Sequence, residues 1–210
     1  MVPIVVLYIV CVVYSAIRYI VFAPANAGNL PVFVTNKGVA MTAALCFAAA
    51  FLQQLRARRG LAVRTPSSSW SRAGVFGAIW HIPMALAILQ PAYIKEFFVT
   101  PAPDAQPHLG GPRLSFAGEM VFMLGGLTAA TIFLLLRQTW TASQRWWLSL
   151  AAMVLLLAHT LAMGYCRGLN INAKHAYLPP MWLLSTVGIV VGLWWLLRTR
   201  PKPDDVARVD

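Results

Sequence analysis

Residues 148–164 read LSLAAMVLLLAHTLAMG, seventeen consecutive positions with no charge and a single imidazole, at His159. Widened to 146–165, the run reaches the roughly 20 residues a helix needs to cross the hydrocarbon core of a bilayer. Five further apolar runs of similar length stand at 3–22, 36–55, 71–91, 115–136 and 179–197. Connectors between them are short, apart from the basic stretch RARRGLAVRTPSSSW at 56–70 and the Pro- and Gly-rich residues 99–113. This pattern predicts an all-α integral membrane protein folded as a six-transmembrane-helix bundle.

The composition agrees. Charged residues make up 11% of the chain, against about 25% in soluble domains, too few to cover a wet surface. Seventeen Lys and Arg against six Asp and Glu leave +11, but the cations fall in short clusters between apolar runs. There they meet anionic headgroups and set topology, so membrane lipid and no nucleic acid is the expected partner. With both termini inside, the inner loops carry eleven of the basic residues, five of them at Arg56, Arg58, Arg59, Arg64 and Arg72. That excess predicts a multi-pass protein of the cell inner (plasma) membrane with cytoplasmic termini. Trp70, Trp140, Trp146 and Trp147 fall where an inner aromatic belt belongs, and Arg18 sits where it can snorkel to an interface. The first run has no basic n-region and is read as a retained span. Pro83 predicts a local kink in the third. Cys11 and Cys46 lie inside apolar runs as small hydrophobes; Cys166 lies near a membrane edge, and no disulfide is expected.

Chemistry is carried by histidine. His81 stands eleven residues beyond Trp70, and His159 thirteen beyond Trp146. In the expected topology both helices run from inside to outside, so the two imidazoles differ in depth by a few ångströms, at about 1.5 Å per residue. Matched depth on parallel helices is what a haem between them demands, one imidazole to each iron face. Gly77, Ala78, Ala85, Ala158, Ala162 and Gly164 would admit a flat macrocycle, although small residues also serve ordinary helix packing. A hydrogen bond inside the bundle is the alternative use of each ring. Neither run holds an Asp or Glu, which argues against a proton pump or ion-coupled transporter. His108 and His175 fall in expected outer loops near Asp104, where solvated loop residues are the simpler reading. No Rossmann fingerprint or P-loop occurs in the chain.

The stretch LAHTLAMGYCR at 157–167, followed by YLPP at 177–180 and preceded far upstream by LPVFVTNKG at 30–38, resembles a known family. It is similar to the transmembrane domain of the six-transmembrane epithelial antigen of the prostate (STEAP) metalloreductases, within the ferric-reductase-like group. In that family the fifth helix carries a haem histidine, a Gly five residues on and a basic residue eight residues on; here these are His159, Gly164 and Arg167. Pro179 and Pro180 match the Pro pair that opens the last helix, and Asn36 and Lys37 match the start of helix two. The chain departs from the pattern at Arg72 and Gly74, nine and seven residues before His81, and at Ser149 in place of a Gly. The family's cytoplasmic nicotinamide-binding domain has no counterpart in these 210 residues.

The resemblance implies a six-helix haem-binding domain over 1–198, followed by a polar cytoplasmic tail at 199–210. It implies one b-type haem held by the metal ligands His81 and His159, and a flavin for which Arg72, Gln144 and Arg145 are candidates. Electrons would pass from a cytoplasmic flavoprotein or NAD(P)H-dependent reductase to an outer acceptor, a ferric or cupric ion or another small molecule. A haem-containing anchor subunit for a separate redox partner is the alternative, a transporter with coincidental histidines a third, and homo-oligomerisation is left open.

Overall fold

A computed structural model describes residues 1–22, 32–91, 93–99, 113–137, 139–165, 169 and 178–200. Among them the chain is mostly helical. Helix α1 (Val2–Ala16) runs into a π-helical turn at Ile17–Val21. It is followed by α2 (Val32–Arg58), α3 (Ser67–Ala87), α4 (Phe116–Leu135), α5 (Ala142–Tyr165) and α6 (Met181–Leu197). Between α3 and α4 a 3-10 turn at Lys95–Phe97 leads into a two-residue ribbon, β1 (Phe98–Val99) paired antiparallel with β2 (Arg113–Leu114). This ribbon and a bridge residue at Leu178 depart from an all-helical reading. The ribbon hands the chain to Ser115, whose N–H donates to Phe97 O at 2.7 Å and whose Oγ accepts from Gly118 N at 3.1 Å, capping α4.

Four of these helices are long and apolar enough to cross a membrane: α1 with its π turn, α2, α4 and α5. Helix α6 is apolar but has 17 residues. Helix α3 has the length, yet it begins four residues earlier than its apolar run and so takes in Ser67, Ser68, Ser69 and Trp70. Pro66, outside the first turn, supplies the start there. The helix continues through Pro83.

Helix α2 is the hub, with α1, α3 and α6 packed around it; α5 closes against α6, and α4 against α5. Its small buried residues (Ala43, Ala44, Cys46, Ala48 and Ala50) permit this crowding. At Gly38 the approach is close, since a Cβ there would stand 2.8 Å from the Val12 backbone of α1. Cys11 and Cys46 are buried free thiols, as expected of apolar fillers; Cys166 lies outside the described residues. The outward faces carry large apolar side chains, among them Val5, Val6, Ile9, Val10 and Val13 of α1.

Each end of the bundle is tied by polar contacts. At one end Tyr14 Oη donates to Pro179 O at 2.6 Å, Ser15 Oγ donates to Val34 O at 2.8 Å, and Arg18 Nη1 donates to Leu178 O. Arg18 is thus turned inward and 3% exposed, contrary to the snorkelling expectation. The carbonyl before the Pro pair and the Tyr19 ring, 5.6 Å away, stabilise a cation that hydrocarbon would not. At the other end Arg58 donates to Arg200 O, and the Arg200 guanidinium lies 5.7 and 5.8 Å from the Trp146 and Trp147 rings. Trp147 is exposed and Trp140 half-buried, but Trp70 and Trp146 are core residues rather than members of an interfacial belt. Trp146 can be buried because its indole N–H reaches Leu196 O at 3.1 Å. Thr199 is also fully buried, so the first residues assigned to a polar tail belong to the bundle end, while 201–210 lie outside the described residues.

Candidate functional site

Helices α3 and α4 do not pack closely on each other, and the space between them is a cavity of about 320 Å³. Its walls come from α2, α3, α4, α5 and α6 and are mostly apolar, with Ala40, Ala43, Ala44, Ala78 and Ala85 keeping the helix backbones within reach. Ile88, Ile94 and Phe97, all buried, line it beyond the end of α3. The polar groups on it are His81, His159, Asn36, Lys37, Thr128, Thr160 and Ser185, with Tyr19 and Trp182 as amphipathic aromatics. The volume falls within the ~300–1,000 Å³ typical of cofactor pockets.

The structure brings His81 of α3 and His159 of α5 to this one cavity. Each stands six residues before the last residue of its helix, Ala87 for α3 and Tyr165 for α5, so their depths match from that end. Both helices begin at the end of the bundle where Arg58, Arg145 and Arg200 gather. His81 Nδ1 lies 2.6 Å from Asn36 Oδ1, and His159 Nδ1 lies 2.9 Å from Val121 O. Each partner is a carbonyl oxygen and can only accept, so each Nδ1 carries the proton and each Nε2 keeps its lone pair. No hydrogen bond takes up either Nε2 among the described residues. Two imidazoles on one mostly apolar cavity, each with an Nε2 lone pair, could hold a metal.

The backbone makes room for this arrangement at Gly125 of α4. A Cβ there would stand 3.1 Å from His159 Cε1 and 3.2 Å from its Nδ1, so the missing side chain is what lets the ring lie against α4 and reach Val121 O. Among the described residues no three His, Cys, Asp or Glu side chains cluster as a metal site. A pair of imidazoles fits a metal whose other positions are filled by a macrocycle.

The flavin candidates do not converge on this cavity. Arg145 lines a second cavity of about 180 Å³ at the basic end, with Gln54, Arg58, Ala142, Trp146, Ser149 and Leu196. Its Nε donates to Trp140 O at 3.2 Å. Gln144 is exposed and forms a reciprocal capping box with Thr141: Thr141 N donates to its Oε1 at 2.9 Å, and its own N donates to Thr141 Oγ1 at 3.2 Å. Arg72 is exposed on α3 and lines neither cavity. His108, His175 and Asp104 lie outside the described residues. Two residues of the site, Asn36 and Gly125, were not assigned a role from the sequence; an Asn inside an apolar helix is the signal that could have marked the first.

No family model matches the chain, and no curated protein matches it.

Proposed function

We propose that the chain is a six-span protein of the inner (plasma) membrane, both termini cytoplasmic, that holds one b-type haem between His81 and His159. Its activity is to pass electrons to a ferric or cupric ion at the outer face. One observation carries this reading: two depth-matched imidazoles, both with Nδ1–H spent on carbonyl oxygens, line a single apolar cavity of about 320 Å³. The resemblance of 157–167 and 177–180 to STEAP-type metalloreductases supports the same assignment. The place of α3 beside α2, and of α6 beside α2 and α5, supports counting both as spans.

Bound there, a haem supplies reversible one-electron transfer. The chain does the rest. His81 and His159 would hold the iron through ring nitrogens, and the cavity alanines would let the helix backbones approach a flat ring. Lys37 lies on the cavity wall near the start of α2, with its Nζ 5.4 Å from the Phe33 ring centroid. Apolar walls exclude water, which lowers the reorganisation that accompanies a charge change. The ligands stand six residues from the far ends of α3 and α5, about 9 Å at 1.5 Å per residue. They are therefore closer to that end than to the basic one, as delivery to an outer acceptor requires.

A second reading makes the chain the haem-bearing anchor of a separate flavoprotein. The observation favouring it is the compact basic end, where Arg58 and Arg145 line the smaller cavity and Arg200 caps Trp146. Such a surface suits an acidic partner or a flavin phosphate. Anaerobic reduction of the purified protein by free reduced flavin, followed by mixing with ferric or cupric chelate, separates the two. The metalloreductase reading expects both steps at the visible bands. Reduction by a flavoprotein alone, with no reoxidation by either metal, would leave the anchor.

A further inference from the structure

We propose that Asn36 is the positioning residue of His81 and sets the reduction potential of the bound haem, a role that rests on the haem reading above. Asn36 is 2% exposed and sits on α2, which packs closely on α3. Its Oδ1 accepts from His81 Nδ1 at 2.6 Å, across 45 positions of sequence. A buried amide in an apolar bundle is costly unless its groups are used, and this one, on the cavity wall beside His81, spends its oxygen on the ring Nδ1–H. The bond holds one tautomer, so Nε2 keeps the lone pair with which His81 would take the metal.

Helix α3 needs that help more than α5 does. Pro83, two residues beyond His81, removes a backbone donor and loosens the turn on which the imidazole is mounted. His159 has no proline beside it, and its Nδ1 is held by a main-chain carbonyl, Val121 O. The two histidines are therefore supported unequally, one by a replaceable side chain and one by the backbone. An N–H donated to a carbonyl makes the imidazole a stronger donor to iron and favours the ferric state. Removing Asn36 weakens that donation on one iron face alone.

The full-length chain is purified as wild type, Asn36→Leu and Asn36→Asp, and haem content, optical spectrum and midpoint potential are measured by redox titration. Leu is close to Asn in size and cannot accept, so the potential rises above wild type. Asp keeps an acceptor oxygen in place and adds charge, so the potential falls below it. Both variants keep the six-coordinate low-spin spectrum. Identical potentials at full haem occupancy overturn the role of Asn36 and leave the haem reading intact. If Asn36→Leu does not fold, Asn36→Asp decides, and an unchanged potential there is the overturning result. A colourless wild type from haem-replete cells removes the haem reading itself and this role with it.

Discussion

His81 and His159 were visible in the sequence because each is a polar ring in a run with no carboxylate to pair with. What the rings bond to was not visible. Asn36 lies 45 positions from His81, and Val121 lies 38 from His159, so both partners depend on how helices pack rather than on local pattern. Arg18 shows the same limit from the other side: hydropathy permits snorkelling, but a carbonyl at Leu178, brought close by α6, draws the guanidinium inward. The unequal support of the two ligands makes a prediction. His159→Ala should nearly eliminate bound haem, because the ligand is on an uninterrupted helix with its ring seated against Gly125. His81→Ala should leave some five-coordinate pigment, held by His159 alone. Reduced-minus-oxidised spectra at equal protein concentration check both, with His108→Ala and His175→Ala expected to match wild type.

At the scale of elements, the apolar runs placed all six helices, and their errors have physical causes. Helix α3 starts before its apolar run because Pro66 precedes a serine-rich first turn that helices accept readily. Helix α5 starts at Ala142, four residues before its run, because Thr141 and Gln144 cap it. That box bears on Gln144, which the family resemblance offered as a flavin contact and the structure engages as a cap. Thr141→Ala and Gln144→Ala should each lower stability by about 1 kcal/mol, the usual cost of a lost N-cap interaction, and leave the haem spectrum unchanged. Thermal unfolding in detergent checks the first part. A change in flavin affinity without a change in unfolding temperature for Gln144→Ala would return that residue to the flavin.

At the scale of the whole molecule, different polar groups tie the two ends of the bundle. Arg58 meets Arg200 at one end, and Tyr14 meets Pro179 at the other. The gap between α3 and α4 could not be read from the sequence, since it arises from which neighbours α2 and α5 accept. Yet that gap is what turns two isolated histidines into a site. If the cavity is a haem site, protein purified from haem-replete cells contains one b-type haem per chain. Its spectrum is then six-coordinate and low-spin in both oxidation states, as two neutral imidazoles require. A colourless protein that takes up no haem on reconstitution would contradict this, as would a haem whose spectrum is unchanged when both His81 and His159 are replaced by alanine.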